Sequence, residues 1–536
     1  MSHPDAQISS TGPLLLRKRP PIFLLVPAIF VAVCMFIPLV YLFVRAGQAQ
    51  PDQLLELVFR PRNLELLWNT LLLTAGVLMI CSFLAFPLAW LVTRTTIAAK
   101  GWLTVLAVVP LAVPGYVMAY ALLGIGGNLG VLSQLFGIRI ANISGYWGAV
   151  WALSLYTFPY LFLNLRAALM GLDTSLEESA QSLGYSRWEV LLKVILPHLL
   201  PAILAGYLVV GLYVLGDFGA VALMRYEAFS YAIFTQYSGA FDRIYAAWLS
   251  IMLLALAGMF LLMEAYVLKR KRLASVGSGV GRAVSPKPLG AWQPLAWLYV
   301  AFVFMASIGM PVAMLGYWLF LAPPDISVFW QVPVTFMHSA LAAMPAALLA
   351  VVLALPLCFL SVRYPSSVTR LLERSAYIGY ALPPLTLGLA MVFFALQTAF
   401  FFYQTLGLLI IAWTIATLAL AMGPIRSALL QMRPSTEEAA YALGYTPAAT
   451  FWHVVFPRLR RAVLAALALV FLFCMKELPI TFLLAPTGYS TLAVTVFSRT
   501  TEGLMAEAAP FAAAIVLFSG LSVGMVLNRE AQKGAR

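Results

Sequence analysis

Two polar stretches carry the acidic residues most able to do chemistry in an otherwise apolar chain. Residues 175–204 read SLEESAQSLGYSRWEVLLKVILPHLLPAIL, and residues 435–464 read STEEAAYALGYTPAATFWHVVFPRLRRAVL. Each opens with a hydroxyl followed three positions later by a carboxylate, Ser175 with Glu178 and Ser435 with Glu438. This spacing matches a capping box, in which both side chains bind free backbone N–H groups at a helix start. We predict that each stretch begins with a short polar helix that a soluble partner could grip.

Each polar helix is predicted to end at a glycine, Gly184 in the first stretch and Gly444 in the second. Glycine can take the left-handed backbone conformation that closes a helix. A second start signal follows at once, Ser186 with Glu189 in the first stretch and Thr446 in the second. The expected shape is a short helix, a sharp turn and a longer helix that enters the next apolar run.

The rest of the chain has the composition of an integral membrane protein. Of its 536 residues, 62% are hydrophobic and 10% are charged, and the mean hydropathy is +0.93. A water-soluble domain of this length would not normally show these values. Apolar runs of about 20 residues, enough to cross a ~30 Å hydrocarbon core, predict an all-α fold with about twelve spans. They lie near Ile22–Ala46, Asn69–Val92, Gly101–Ile125, Tyr146–Met170, Leu196–Leu223, Ile244–Leu268, Leu295–Phe320, His338–Val362, Ala376–Phe400, Leu406–Leu430, Ala462–Leu484 and Ala508–Leu527.

The net charge of +13 is spread unevenly along the chain. Lysines and arginines cluster at alternate ends of the predicted spans, as at 17–19, 269–272 and 458–461, and the opposite loops have few. By the positive-inside rule, both termini and both polar stretches are predicted to be cytoplasmic. The pattern indicates a lipid bilayer as the partner and argues against nucleic acid.

Motifs for catalysis, metal binding or nucleotide binding are not evident in the sequence. The four cysteines and four histidines are scattered, without the spacing of a metal or redox motif. The glycine-rich runs GSGVG and GIGGNLG lack the spacing of a phosphate-binding loop. We therefore expect no resident metal and no cofactor on this chain, and we do not expect it to be an enzyme.

The chain repeats one plan on either side of a linker. The linker, 269–294, begins with basic residues and continues with Gly, Ser and Pro, so it is predicted to be flexible. It separates a first membrane domain, 1–268, from a second, 295–536. Corresponding residues lie 260 or 269 positions apart, as in the pairs Gly184 and Gly444, Pro197 and Pro457, Arg94 and Arg363. Because each half has six predicted spans, the two repeats run parallel, related by an axis along the membrane normal.

Prolines recur inside the third predicted span of each half. They are Pro110 and Pro114 in the first half and Pro383 and Pro384 in the second. An interrupted helix is tolerated in a membrane only where its backbone is covered by protein or lines a cavity. We predict broken helices here, with simple packing kinks as the alternative.

Both polar stretches resemble the EAA loop of ABC importer permeases, usually written E-A-A-x3-G-x9-I-x-L-P. The residues that match it are Glu178, Ala180, Gly184 and Pro197 in the first stretch, and Glu438, Ala440, Gly444 and Pro457 in the second. The departures are Ser179 for the central alanine, valine at both isoleucine positions and Phe456 for leucine. The resemblance covers essentially the whole chain, as two six-span permease domains fused in tandem.

The resemblance implies partners and a location. In that family the loop forms a coupling helix that docks into an ATPase subunit, so Glu178, Ala180 and Gly184, with their counterparts Glu438, Ala440 and Gly444, would couple ATP use to transport. Two copies of an ABC ATPase, which binds the ATP, and a periplasmic substrate-binding protein would complete the importer. The chain would lie in the bacterial cytoplasmic membrane.

The regions after the two loops resemble those of ferric-iron importer permeases. They read GDFGAVALMRYEAFSYAIFTQY (216–237) and KELPITFLLAPTGYSTLAVTVF (476–497). Permeases for thiamine, polyamines, sulfate and aminophosphonates share much of the same scaffold, so they remain alternatives. A secondary transporter with twelve spans also has parallel six-span halves, but it would not need two capped cytoplasmic helices.

A matched acidic pair, Asp217 and Glu477, lies at the start of these regions. An ionisable residue in a span costs roughly 2.5–3.5 kcal/mol to insert, so such a pair suggests a function. Near the outer ends of the fifth and eleventh spans, two facing carboxylates would attract a cation and form part of a substrate path. The alternative is structural, with Lys476 neutralising Glu477 and Asp217 lying in a polar loop. The residues alone leave both interpretations open.

Overall fold

The protein is helical throughout the residues that the structure describes. The structure is a computed structural model, and it describes residues 20–50, 56–127, 130–172, 174–240, 242–270 and 286–534. Within these ranges there is no β-strand, only an isolated bridge between Thr95 and Lys287. The prediction of an all-α fold is confirmed.

The helices of the first half follow the predicted spans with additional short pieces. They are α1 (Ile22–Ala46), α2 (Pro61–Arg94), α3 (Lys100–Val108), α4 (Gly115–Ile125), α5 (Val131–Phe136), α6 (Gly145–Gly171), α7 (Thr174–Ser182), α8 (Arg187–Val190), α9 (Leu196–Gly216), α10 (Gly219–Leu223), α11 (Phe229–Ser238) and α12 (Arg243–Arg270). A π-helical turn, Leu191–Ile195, joins α8 to α9.

The second half repeats much of this order. Its helices are α13 (Gln293–Phe304), α14 (Met310–Gly316), α15 (Ile326–Arg363), α16 (Ser367–Ala381), α17 (Pro384–Thr398), α18 (Leu406–Gln431), α19 (Ser435–Ala442), α20 (Pro447–Thr450), α21 (Phe456–Met475), α22 (Pro479–Leu484), α23 (Leu492–Thr501) and α24 (Met505–Gly534). A π-helical turn, Phe451–Val455, joins α20 to α21, at the position that corresponds to the turn before α9.

Residue contacts group the chain into two units that cross the sequence halves. One unit comprises Met1–Ile37, Ala347–Tyr380 and Thr417–Val470, and the other comprises Pro38–Ala346, Ala381–Ala416 and Phe471–Arg536. The first polar stretch lies entirely in the larger unit and the second entirely in the smaller one. The predicted domains 1–268 and 295–536 stay a prediction.

The described end of the predicted linker, 269–294, is structured. Residues 271–285 lie outside the described residues, but the Lys287 N–H donates to the Arg94 carbonyl at 3.0 Å. The Lys287 carbonyl accepts from the Thr96 N–H at 3.1 Å. A single 3₁₀ turn, Gly290–Trp292, then leads into α13. The prediction of flexibility up to residue 294 is therefore wrong, because backbone hydrogen bonds hold this end of the linker.

Membrane-spanning helices account for most of the predicted spans. Among the described residues, nine helices are long and apolar enough to cross a membrane, and two bent pairs raise the number to 11. The eleventh predicted span, Ala462–Leu484, differs because α21 carries Arg458, Arg460 and Arg461 near its start and ends at Met475. The prediction of a membrane protein with about twelve spans agrees with this count.

The third span of each half is broken at its prolines. Helix α3 and the following turn meet α4 at an angle of 91°, and α16 meets α17 at 102°. Pro114 and Pro383 precede α4 and α17 in extended conformation, with ψ of 154° and 132°. A right-angled break far exceeds a kink, so the prediction of interrupted helices is confirmed.

The fifth span of each half also ends earlier than predicted. Helix α9 stops at Gly216 and α21 stops at Met475, and the short helices α10 and α22 follow after a break. Continuous spans through Leu223 and Leu484 were therefore a wrong prediction. Asp217 and Glu477 lie at these breaks, where a side-chain acceptor can bind the free N–H groups of a new helix.

Candidate functional site

Both polar stretches form a helix, a glycine turn and a second helix. Gly184 has a φ of +88° and Gly444 a φ of +85°, the left-handed conformation predicted for them. The Gly184 N–H binds the Gln181 carbonyl at 3.0 Å, and the Tyr185 N–H binds the Ala180 carbonyl at 3.1 Å. These two bonds define a Schellman motif, which satisfies the last carbonyls of a helix.

The second stretch closes its helix with the same bonds. The Gly444 N–H binds the Tyr441 carbonyl at 3.0 Å, and the Tyr445 N–H binds the Ala440 carbonyl at 3.1 Å. Ala180 and Ala440 are buried, so each packs the inner side of its turn. We call the two segments 174–195 and 435–455 the coupling segments below, after the role that the resemblance implies for them.

The second start signals are formed as predicted. The Ser186 N–H donates to Glu189 Oε2 at 3.0 Å, and the Glu189 N–H donates to Ser186 Oγ at 3.3 Å. This reciprocal pair is a capping box. In the second coupling segment Thr446 Oγ1 accepts from the Ala449 N–H at 3.3 Å. The restarted helices α8 and α20 are therefore fixed by their own side chains.

The capping box predicted at Ser435 is wrong. Helix α19 begins with Ser435 itself, and the residue before it, Pro434, has helical dihedral angles of −58° and −32° and provides no side-chain cap. Proline fixes φ near the helical value, so it starts the helix before the serine. Helix α7 begins at Thr174, one residue before Ser175, and the capping box at Ser175 stays a prediction. Glu178 and Glu438 are exposed on these helices.

The carboxylates before them, Glu177 and Glu437, are buried and form ion pairs that the sequence analysis missed. Arg94 Nη1 lies 2.8 Å from Glu177 Oε1, and Arg363 Nε donates to Glu437 Oε1 at 2.7 Å. The exposed fractions of the four side chains are 5% and 11% in the first pair and 10% and 9% in the second. The glutamate doublet and the aligned arginines were the available signal.

Each arginine also binds the end of another helix. Arg94 Nη2 donates to the Leu169 carbonyl at 3.1 Å, in the last turn of α6. Arg363 Nη2 donates to the Met432 carbonyl at 3.2 Å, one residue beyond α18. The exposed fractions of Arg363 and Glu437, 10% and 9%, show that this ion pair is largely shielded from water.

The glycine turns expose large apolar side chains beside charged ones. Leu183 is 79% exposed and Leu443 is 78% exposed, each directly before its glycine. Trp188 on α8 and Trp452 in the π-helical turn after α20 are also exposed. Contiguous exposed apolar residues with a polar rim are typical of a protein-binding surface. Both coupling segments therefore offer a surface of the same kind.

Asp217 and Glu477 cap the short helices that follow the broken spans. Asp217 Oδ1 accepts from the Ala220 N–H at 2.9 Å, and Oδ2 accepts from the Tyr156 hydroxyl at 3.2 Å. Glu477 Oε1 accepts from the Ile480 N–H at 2.8 Å. These bonds start α10 and α22, so each carboxylate has a local structural role.

Further bonds enclose the Glu477 carboxylate. Its Oε2 accepts from the Thr481 N–H at 3.0 Å, the Thr481 hydroxyl at 2.7 Å and Trp413 Nε1 at 3.0 Å. Lys476 does not neutralise it as considered above, because Lys476 Nζ donates to the Leu111 carbonyl at 3.1 Å. Glu477 is only 6% exposed, so in this conformation an ion would contact its carboxylate only after the surrounding side chains move.

The segments that begin with the two acids meet each other. A Cβ on Gly219 would lie 2.7 Å from Leu478 Cδ2, which places the start of α10 against the residue after Glu477. Four aromatic rings fill the same region, with centroids 4.8 to 6.1 Å apart: Phe218, Phe234, Phe482 and Phe497. Corresponding segments of the two halves thus pack together, as the repeat predicts, around an apolar centre.

Comparison with known proteins identifies the family. Residues 85–275 and 346–529 each match the family described as "Binding-protein-dependent transport system inner membrane component". The chain belongs to this family. Two copies of the family unit therefore lie on one polypeptide of this inner membrane component, and a secondary transporter is excluded.

Relatives of this inner membrane component cover it to different extents. It is 34% identical to the Fe(3+)-transport system permease protein FbpB 2 of Haemophilus influenzae, over 94% of this chain and 98% of the relative. It is 34% identical to the molybdenum transport system permease protein ModB of Escherichia coli, over 28% of this chain and 69% of the relative. The ferric transport system permease protein FbpB of Actinobacillus pleuropneumoniae is 21% identical over 88% of this chain.

The described residues of this inner membrane component contain no group of three or more His, Cys, Asp or Glu side chains that could hold a metal ion.

Proposed function

We propose that this chain is the permease subunit of an ATP-driven ABC importer for ferric iron, which receives its substrate from a periplasmic binding protein. The observation that carries the substrate assignment is 34% identity to a relative named for Fe(3+) transport across 94% of this chain. The molybdenum permease matches only 28% of it. The ferric-iron relative aligns with both halves, so its match includes residues 216–237 and 476–497, which contain Asp217 and Glu477. A match over 28% of the chain is too short to include both of these segments.

Uptake measurements test the substrate. We expect cells that produce this chain with its neighbouring ATPase and binding protein to accumulate radiolabelled ferric iron in an ATP-dependent manner. Molybdate, sulfate, thiamine, polyamines and aminophosphonates, each supplied at the same concentration, should not compete. Uptake of one of these compounds, with no uptake of iron, would reassign the substrate and leave the importer class intact.

We propose that the coupling segments bind a separate ATPase, which holds the ATP and performs its hydrolysis. Their support is the matched glycine turns and the exposed apolar side chains at Leu183 and Leu443. Glu178 and Glu438 point outward from the same helices, where a partner can reach them. Because the chain carries two such segments, we propose that it binds two ATPase subunits.

The number of ATPase subunits can be measured by native mass spectrometry of the purified complex. We expect two per chain for the natural protein. Leu183→Glu alone should reduce this to one, since a charge replaces the apolar contact at one turn, and Leu183→Glu with Leu443→Glu should leave none. Leu135→Glu is the matched control and should retain two ATPase subunits. Leu135 is an exposed leucine of α5, which precedes α6, whereas the first coupling segment follows α6. Two ATPase subunits bound to the double variant would contradict these docking sites.

We propose that both termini and the linker 269–294 are cytoplasmic, on the strength of the basic clusters. A membrane-impermeant maleimide added to intact cells should label Ala141→Cys, in the exposed loop before α6, and should not label Ser278→Cys in the linker. After the cells are opened, both should react. Labelling of Ser278→Cys from outside, with Ala141→Cys protected, would invert the orientation.

A further inference from the structure

Two buried arginines join the coupling segments to the membrane helices. Arg94 is the last residue of α2, and it contacts Glu177 on α7 and the Leu169 carbonyl at the end of α6. Each contact comes from a different nitrogen of one planar guanidinium. One side chain thus connects three helices at a single point.

The second half builds the same junction with the corresponding residues. Arg363 ends α15, and it contacts Glu437 on α19 and the Met432 carbonyl just beyond α18. Here Nε and Nη2 both lie 2.7 Å from Glu437 Oε1. The first junction lies within one contact unit and the second within the other, so each is complete by itself.

Stability alone is a poor explanation for these junctions. Burying two charges carries a desolvation penalty that their attraction often only balances, whereas removing one partner leaves an uncompensated buried charge. Planar guanidinium groups hold carboxylates in a fixed geometry and present several donors at once. Repetition of such a pair in both halves therefore favours a role in holding position.

The glutamate doublets divide two tasks between adjacent residues. Successive residues of a helix point about 100° apart, because a turn contains 3.6 residues. Glu177 and Glu437 consequently point inward to the arginines, while Glu178 and Glu438 are exposed. One carboxylate of each doublet is fixed to the membrane helices, and the other remains available to a partner.

We propose that Arg94 and Arg363 are positioning residues. Arg94 with Glu177 fixes the first coupling segment to the ends of α2 and α6. Arg363 with Glu437 fixes the second coupling segment to the ends of α15 and α18. A displacement of α7 or α19 by the ATPase would then move two spans together. This inference rests on the proposed coupling function, and it assigns the transmission of movement to residues outside the EAA motif.

Neutral substitutions separate positioning from stability. Arg94→Gln with Arg363→Gln leaves two buried carboxylates unpaired, so the melting temperature should fall. Adding Glu177→Gln and Glu437→Gln removes those charges, and the melting temperature should return toward that of the natural protein. We expect the fourfold variant still to bind the ATPase and hydrolyse ATP, but to import at least about fivefold fewer ions per ATP, the low end of energetic coupling between sites.

Matched variants complete the test. Arg426→Gln with Glu373→Gln removes another Arg–Glu ion pair, between α18 and α16 and outside the coupling segments. This variant should import more ions per ATP than the fourfold variant, because the junctions are intact. If the fourfold variant imported as many ions per ATP as the natural protein, the positioning role would be overturned. A loss of transport matched by an equal loss of ATP hydrolysis would overturn it for the same reason. If instead the natural chain neither bound an ATPase nor transported, the proposed function itself would fail.

Discussion

Replacing both Gly184 and Gly444 with valine should abolish coupled transport while the chain still inserts into the membrane. The two φ angles, +88° and +85°, lie where β-branched residues are strained by ~1–2 kcal/mol each. Nothing lies within 4 Å of a Cβ built on either glycine, so backbone strain rather than a clash is the cause. Relief of the strain would open the Schellman turn and redirect the exposed Leu183 and Leu443.

Transport and binding-protein-stimulated ATP hydrolysis, both measured in proteoliposomes, test this expectation. The control is Gly171→Val with Gly423→Val, because a Cβ at these glycines also meets nothing within 4 Å and neither has a positive φ. The control should transport nearly as well as the natural protein. Full transport by Gly184→Val with Gly444→Val would rule out the glycine turns as coupling elements.

The combination Asp217→Asn with Glu477→Gln should reduce ferric-iron uptake by at least about tenfold, which corresponds to about 1.4 kcal/mol in the barrier. Asparagine can still accept the Ala220 N–H, and glutamine can still accept the Ile480 N–H, so the caps of α10 and α22 keep an acceptor. What disappears is the negative charge beside the packed aromatic centre. We expect ATP hydrolysis stimulated by the binding protein to persist, because the coupling segments are unchanged.

A second pair of substitutions distinguishes charge from capping. Trp413→Phe with Thr481→Val removes side-chain donors to Glu477 Oε2 while retaining the carboxyl group and its backbone hydrogen bonds to α22. If the charge attracts the cation, this control should retain uptake. An equal loss of ferric-iron uptake in both double variants would assign the acids to structure alone. Unchanged uptake in Asp217→Asn with Glu477→Gln would weaken the case for a cationic substrate.

Local signals in the sequence predicted the features that depend on neighbouring residues. The left-handed glycines, the restart at Ser186 and the breaks before Pro114 and Pro383 each follow from the conformational limits of one or two residues. The same local reasoning failed at Ser435, because Pro434 starts the helix first. The proline directly before the serine is the sequence signal for this earlier helix start.

Features that depend on distant contacts were not predictable in this way. Arg94 and Glu177 meet only after α2 and α6 have packed, and the repeat indicated that Arg94 corresponds to Arg363 without naming a partner for either. Asp217 and Glu477 were visible as a matched acidic pair, but their hydrogen bonds to α10 and α22 depend on where α9 and α21 stop. Hydropathy does not show where these two helices end, because the apolar sequence continues beyond each end.

The two restarts of the coupling segments respond differently to dissolved ions. The first depends on Glu189, whose Oε1 lies 2.9 Å from Lys193 Nζ on an exposed face, whereas the second depends on the uncharged Thr446. Electrostatic attraction between exposed groups is screened within about 3 Å at 1 M salt. A permease assembled from two identical chains would have two identical coupling segments and no such difference. Because both halves share one polypeptide here, each coupling segment is free to evolve its own sensitivity to ionic strength.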